Sequence, residues 1–208
     1  MKPSANVYDG AKISVSGDVH PYVSRGGVKI EAALRTFEID PDGKICLDLG
    51  ASTGGFTDVL LRAGAAKVYA VDVGTGQLHA SLAPNPRVVS LEKTHAKDLT
   101  CALIPEPIEI LVCDVSFISL KKALPPALAL CAPGAKLVAL IKPQFELGPE
   151  KIGKGGIAAA SAQDMAAMVD GMKSWTEDCG WRVIDCIDSP IAGGDGNKEF
   201  LLGAIKTA

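Results

Sequence analysis

Short apolar runs of strand length alternate with segments of helical spacing along most of the chain. Seven of the runs are predicted to be strands, at 44–49, 67–73, 87–91, 108–113, 136–141, 181–187 and 200–205. Helices are predicted at about 24–37 with Ser24 as the cap, just after residue 55, at 125–130 with proline in the first turn, and at 163–178. This alternation indicates a mostly parallel sheet covered by helices on both faces.

The C-terminal part of the pattern differs from the rest. The last two predicted strands are joined only by a turn-rich segment, at 193–197, and a short connection makes neighbouring strands antiparallel. We therefore expect an α/β fold with a mostly parallel, seven-stranded sheet and an antiparallel C-terminal strand.

The first twenty residues have a different pattern of apolar and polar positions. Residues 11–16 alternate between apolar and polar positions like a strand, which is too short to bury a core alone. The segment is either an edge strand of the main domain or the remnant of another domain, and the sequence leaves both interpretations open.

Composition excludes several classes of protein. The chain has 208 residues, of which 48% are hydrophobic and 22% charged, as in an ordinary globular domain. A formal charge of −3 argues against coating nucleic acid through bulk charge, although a local basic patch is compatible with it. No apolar segment is long enough to cross a membrane, so we expect a soluble, cytoplasmic protein. The six cysteines lack C-x₂-C spacing, and we expect reduced thiols and no metal site.

Glycines and a carboxylate converge where the first two strands end. Gly50, Gly54 and Gly55 follow the first strand, and Asp72 ends the second, where a carboxylate can accept both hydroxyls of a ribose. Ligands of doubly wound sheets bind at the carboxyl ends of the strands, so a nucleoside-bearing cofactor is predicted. The spacing G-x-x-x-G-G differs from the dinucleotide pattern G-x-G-x-x-G and, with the antiparallel strand pair, favours S-adenosylmethionine over NAD.

Seven short motifs extend this interpretation. They are YVSRGGVK at 22–29, LDLGASTGGFTD at 47–58, YAVDVG at 69–74, DVSFISL at 114–120, KPQFE at 142–146, GKGG at 153–156 and GNKEF at 196–200. In this order they resemble the TlyA-type RNA methyltransferases, an FtsJ-like family also known as hemolysin A. The resemblance implies a Rossmann-like, S-adenosylmethionine-dependent methyltransferase domain at 21–208. It also implies that residues 1–20 are the remnant of an S4-type RNA-binding domain with its linker.

The resemblance also implies roles for individual residues. The wider FtsJ-like group uses a Lys-Asp-Lys-Glu tetrad for 2′-O-ribose methylation, which falls here on Lys29, Asp114, Lys142 and Glu199, with Lys142 as the base. The implied cofactor-binding residues are Asp48, Gly50, Ser52, Thr53, Gly54, Gly55, Phe56, Asp72, Val73, His95 and Asp114. The implied RNA contacts are Arg25, Lys29, Lys151 and Lys154. The implied partner is ribosomal RNA in ribosomal subunits, with the ribose of cytidine as the target.

Two other functions remain open from the sequence. The hemolysin name could be literal, and the chain would then act on membranes. Alternatively, the chain could be a non-catalytic module that binds the cofactor or RNA without transferring a methyl group. The sequence does not specify an oligomeric state.

Overall fold

The computed structural model describes residues 8, 10–11, 20–194 and 196–207. The strand predicted at 11–16 and most of the segment assigned to an S4 remnant lie outside these residues. The described residues form five helices and seven strands. In chain order they are α1 (Gly26–Thr36), β1 (Ile45–Leu49), α2 (Gly55–Arg62), β2 (Lys67–Val71), β3 (Val88–Leu91), β4 (Ile108–Cys113), α3 (Leu120–Ala129), β5 (Cys131–Ile141), α4 (Pro143–Glu146), α5 (Ala162–Asp178), β6 (Trp181–Asp188) and β7 (Phe200–Lys206). Short 3₁₀ helices lie at Ala96–Asp98, Pro149–Lys151 and Lys154–Gly156.

All seven strands belong to one sheet with the order β3-β2-β1-β4-β5-β7-β6. The pairs from β3 to β5 are parallel, whereas β7 is antiparallel to both β5 and β6. The predicted fold is therefore confirmed, including its antiparallel C-terminal strand. The direction of the strand order reverses between β1 and β4, and at such a switch point the carboxyl ends of the strands leave room for a ligand.

The sheet is covered on both faces, as the alternating pattern predicted. On one face α1 and α2 contribute buried side chains such as Ile30 and Phe56. On the other face α3 and α5 contribute Ala123 and Met172. Because every central strand is buried from both sides, its apolar run is continuous rather than alternating.

The third helix was predicted at the right place, but its predicted start was wrong. A helix with proline in its first turn was expected at 125–130, but α3 begins at Leu120 with Ser119 as its N-cap, and both prolines lie inside it. Pro125 and Pro126 remove the N–H groups that would bond the carbonyls one turn earlier. Those carbonyl groups belong to the exposed residues Lys121 and Lys122, so water can donate hydrogen bonds to them. The helix therefore tolerates prolines that the sequence pattern treats as a start signal.

Candidate functional site

The turn after β1 brings two strand ends into contact. Gly50 has a φ of +86°, and a Cβ atom there would lie 2.6 Å from the backbone carbonyl oxygen of Asp114. Only glycine fits this close approach without strain. The turn is held from the other side by the carbonyl of Val71, which accepts from the N–H groups of Gly50 and Ala51. The ends of β1, β2 and β4 consequently meet at one point of the sheet edge.

A second close approach places α1 over the same edge. A Cβ atom on Gly55 would lie 2.1 Å from Oγ of Ser24, so the glycine allows the start of α2 to contact the start of α1. The predicted capping role of Ser24 was wrong. Arg25 occupies the N-cap position of α1 without a side-chain cap, and Ser24 packs against α2 instead. This packing sets the position of Arg25 and Lys29 above the carboxyl ends of the strands.

Two cavities open at this edge. The larger, of about 790 Å³, is lined by the ends of β1, β2 and β4, including Asp72, Val73 and His95. The smaller, of about 330 Å³, is lined by residues that include Arg25, Lys29, Gly50, Ser52, Thr53, Gly55, Phe56, Asp114 and Lys142. Gly50, Ser52, Asp114 and Ser116 line both, so the two cavities form one groove across the switch point. Its size suits a small-molecule ligand.

Asp72 is held in place by the backbone at the larger cavity. Its Oδ2 accepts from the N–H of Ser52 at 2.8 Å, and its Oδ1 accepts from the N–H of Gly74 at 2.7 Å. Each carboxylate oxygen can accept a further hydrogen bond. The fixed carboxylate can therefore bind two neighbouring hydroxyl groups, as the ribose of a nucleoside would require.

Two of the predicted cofactor residues, Asp48 and Gly54, line neither cavity. Asp48 is fully buried in β1, where its Oδ2 accepts from the backbone N–H of Thr57 at 2.9 Å and from the Thr57 hydroxyl at 2.6 Å. Its Oδ1 has no hydrogen-bond partner among the described residues. Burial raises the pKa of Asp48 to about 7, and the negative charges of Asp114 and Asp72 add to this rise, while the hydrogen bonds from Thr57 oppose it. The carboxyl group thus holds the start of α2 from behind the turn.

The four residues of the predicted tetrad form two ion pairs. Lys142 Nζ lies 2.6 Å from Asp114 Oδ1, and Lys29 Nζ lies 2.5 Å from Glu199 Oε2. The Lys29–Glu199 pair is buried, with the two residues 8% and 3% exposed. Both lysines and Asp114 line the smaller cavity, and Glu199 reaches it through Lys29. The structure therefore brings together residues from α1, the ends of β4 and β5, and the start of β7.

The tetrad has two neighbours to which the sequence pattern gave no role. Ser116 Oγ accepts from Lys142 Nζ at 2.8 Å, so the ammonium group is held by both Asp114 and Ser116. Phe117 is 91% exposed, and its ring centroid lies 5.2 Å from that of Phe145. Within the apolar stretch around it, Phe117 looks like a core residue. Only its position three residues after a strand-end aspartate could have indicated a surface role.

The predicted RNA contacts have different environments. Arg25 is exposed at the smaller cavity, whereas Lys29 forms an ion pair with Glu199. Lys151 is paired with Asp164, and its Nζ lies 2.5 Å from Asp164 Oδ1. The side chain of Lys154 lies outside the described part of the structure. Of these four residues, Arg25 is the one that the structure shows free to meet a ligand at the groove.

The cysteines, the possible metal ligands and the helices of the described residues bear on other kinds of site. All six cysteines are free thiols. In the described parts of the chain, no group of three or more His, Cys, Asp or Glu side chains is arranged to hold a metal ion. No helix within those same parts is long and apolar enough to span a membrane.

The chain is similar to known proteins over most of its length. Residues 22–206 match the family model of FtsJ-like methyltransferases. The chain is 43% identical over 203 residues to the 16S/23S rRNA (cytidine-2′-O)-methyltransferase TlyA of Mycobacterium tuberculosis, covering 97% of this chain and 75% of that protein. A solved structure named as a candidate hemolysin from Streptococcus thermophilus is 42% identical, with a TM-score of 0.87 over 92% of this chain and 70% of that one.

A more distant solved structure supports the fold alone. The S-adenosylmethionine-dependent methyltransferase of Mesorhizobium loti has a TM-score of 0.61 at 13% identity, covering 84% of this chain and 96% of that one. The family model spans almost all of the described sheet, and the curated relative matches over nearly the whole chain. The chain therefore belongs to the family of FtsJ-like methyltransferases.

Proposed function

We propose that this protein transfers a methyl group from S-adenosylmethionine to the ribose 2′-hydroxyl of a cytidine in ribosomal RNA. The observation that carries the proposal is the meeting of the Lys142–Asp114 ion pair and Lys29 at a cavity continuous with the one that contains Asp72. The name of the Mycobacterium tuberculosis relative supports the choice of cytidine and of ribosomal RNA. We place the activity in the cytoplasm, with ribosomal subunits as the partner.

The groove fits the proposed cofactor. Asp72 would bind the ribose hydroxyls, because both of its oxygens are fixed and keep acceptor capacity. Val73, which is 67% exposed at the larger cavity, would provide an apolar surface for the base. The turn at Gly50 would lie beside the methionine part of S-adenosylmethionine. When bound, S-adenosylmethionine supplies a methyl group made electrophilic by its sulfonium.

Lys142 would act on the attacking hydroxyl. Once the ammonium group of Lys142 has released a proton to solvent, its amine would take the hydroxyl proton as the carbon–oxygen bond forms and the carbon–sulfur bond breaks. Asp114 would stabilise the ammonium group that results, since its carboxylate already lies 2.6 Å from Nζ. Ser116 would fix the direction of the amine through its hydroxyl oxygen. Alignment of hydroxyl and methyl group would supply a large part of the rate enhancement.

Lys29 and Glu199 would have a different role. Their ion pair is buried, so the charge of Lys29 is largely balanced within the protein. Removing either partner would leave an uncompensated buried charge, which is strongly destabilising. We assign the pair to holding α1 and β7 around the smaller cavity, with the Lys29 side chain lining it.

The surface around the groove supports a nucleotide substrate. Phe117 exposes nearly its whole side chain beside the larger cavity, and an exposed aromatic ring can stack on a base. Arg25 is exposed beside the smaller cavity and can pair with a phosphate. An aromatic ring in one cavity and a guanidinium in the adjoining cavity can both contact a nucleotide that enters the groove.

The proposal is tested by Lys142→Ala with labelled S-adenosylmethionine and ribosomal subunits that lack the modification. We expect methyl transfer to fall by at least about 100-fold, because a positioned general base contributes about that much. Cofactor affinity, measured by calorimetry, should stay within about twofold. Lys136→Ala is the matched control, since Lys136 lies on the same strand and lines neither cavity. Full activity of Lys142→Ala would contradict the assigned base.

The same experiment separates the other functions that the sequence left open. Label mapped to a base atom rather than the ribose oxygen would refute 2′-O-methylation. Cofactor binding by calorimetry with no transfer to any RNA would identify a non-catalytic module. Leakage of dye from phospholipid vesicles, with no transfer, would instead support the membrane activity implied by the hemolysin name.

A further inference from the structure

Glu146 connects the two segments that carry the Lys142–Asp114 ion pair. It is the last residue of α4, which follows β5 and Lys142 directly. Its Oε2 accepts from the hydroxyl of Ser119 at 2.6 Å, and its Oε1 accepts from the backbone N–H of Leu120 at 2.7 Å. Both donors belong to the start of α3. The carboxylate therefore ties the segment after β5 to the helix after β4.

The start of α3 is a favourable place for this carboxylate. The first N–H groups of a helix have no partner within the helix, and its N-terminus attracts negative charge. Ser119, the N-cap, uses its oxygen to accept from the N–H of Lys121 at 3.2 Å and its proton to bond Glu146. Burial raises the pKa of Glu146, while the hydrogen bonds from Leu120 and Ser119 and the charge of Lys121 oppose this rise.

The loop 114–119 lies between the two points that are fixed. At one end the N–H of Asp114 donates to the carbonyl of Leu49 at 2.9 Å, and at the other end Glu146 holds Ser119. Phe117, within the loop, has a φ of +65°, a backbone conformation that is strained for a phenylalanine and persists only where its surroundings hold it. Fixing both ends of a loop this short limits where its side chains can lie.

We propose that Glu146 is a positioning residue that holds the loop 114–119 so that Asp114 and Ser116 meet Lys142. Glu146 lines neither cavity of the groove, so it acts through the loop and not on the substrate. The inference rests on the proposed function, since it assigns a role within the same reaction. A helix cap with a purely structural role would contribute to stability without affecting the turnover number.

The test compares the loss of side-chain acceptors at the starts of two helices. Glu146→Ala removes both acceptors at the start of α3, and Ser161→Ala removes the cap of α5, where Ser161 Oγ accepts from the N–H of Asp164. We expect both to lower the melting temperature, but only Glu146→Ala to lower kcat, by about tenfold or more, through misalignment at the reacting atoms. The KM for ribosomal subunits should change by less than about threefold, because no substrate contact is removed.

Two further variants make the result specific. Glu146→Gln keeps a carbonyl acceptor for Leu120 and offers an amide N–H to the Ser119 oxygen, so it should restore kcat to within about threefold of the wild type. Ser119→Ala removes one of the same contacts from the other side. In the Glu146→Ala background it should lower kcat by less than about twofold, since coupled residues are not additive.

The outcomes are distinct. Wild-type kcat in Glu146→Ala, or an equal loss of kcat in Ser161→Ala, would overturn the positioning role while leaving the proposed function intact. A Gln variant no better than the Ala variant would also overturn it. If Glu146→Ala does not fold, as judged by circular dichroism and cofactor calorimetry, the single variant Ser119→Ala is used. A lowered kcat in Ser119→Ala then supports the positioning role, and a wild-type kcat overturns it. If the wild-type protein transfers no methyl group, the proposed function itself fails.

Discussion

The buried carboxyl group of Asp48 should make the stability of the protein fall as pH rises. Its pKa is raised from an ordinary 3.8 to about 7, chiefly by burial. Between these two values the unfolded chain releases the proton while the folded chain keeps it. The folded state binds more protons in this range, so the free energy of unfolding decreases with increasing pH. The decrease begins near the lower value and levels off above the higher one.

The size of the effect follows from the two pKa values. A difference of about three in pKa corresponds to a loss of up to about 4 kcal/mol over the whole range. Between about pH 5 and about pH 8 the loss should be roughly 2–3 kcal/mol. Asp48→Asn removes the titration and keeps an acceptor for Thr57, but leaves its amide without a partner. The variant should therefore become more stable relative to the wild type as pH increases.

Urea unfolding in the absence of cofactor measures this difference. Tryptophan fluorescence reports the transition, because Trp181, which is 2% exposed in the folded protein, meets water on unfolding. The two proteins are compared at about pH 5 and about pH 8. Asp170→Asn, which alters an exposed carboxylate on α5, is the control and should change the difference by less than about 0.5 kcal/mol. The same stability difference between wild type and Asp48→Asn at both pH values would refute the reasoning.

Two further predictions concern the backbone around the site. Gly50→Ala should lower the free energy of unfolding by about 1–3 kcal/mol in urea titrations, because the new Cβ would lie 2.6 Å from the carbonyl of Asp114 at a φ of +86°; an unchanged midpoint would contradict the close approach. Asn197→Ala should speed hydrogen exchange of the Ala158 amide by about tenfold or more, since Asn197 Oδ1 accepts from that amide at 2.8 Å and Nδ2 donates to the Gly156 carbonyl at 3.1 Å. Lys198→Ala is the control there, and equal protection in both variants would rule out this anchor.

The sheet could be predicted because its strands are buried on both faces. Continuous apolar runs such as 108–113 mark central parallel strands, and the short link before β7 marks the antiparallel pair. The start of α3 could not be predicted in the same way. Pro125 and Pro126 can lie inside a helix when the carbonyl groups that lose their hydrogen bonds are exposed to water. Whether those carbonyl groups are exposed depends on tertiary packing.

The sequence predicted many of the residues that line the groove, but not the contacts that they make. Asp48 and Asp72 both stand near the end of a strand, yet one is buried behind the turn and the other faces the larger cavity. Side chains alternate between the faces of a strand and lean in different directions where it ends, which spacing alone does not resolve. Lys151 pairs with Asp164, and Glu146 bonds Ser119, 27 residues away. Such partners depend on how separate elements pack.

The ion pair between Lys29 and Glu199 joins residues 170 positions apart. Glu199 precedes β7, and β7 enters the sheet between β5 and β6. During synthesis, α1 and the strands up to β6 are made before β7. Lys29 therefore has no ion-pair partner until Glu199, just before β7, has been made. The Lys29–Glu199 ion pair can therefore form only after nearly the whole chain has been made.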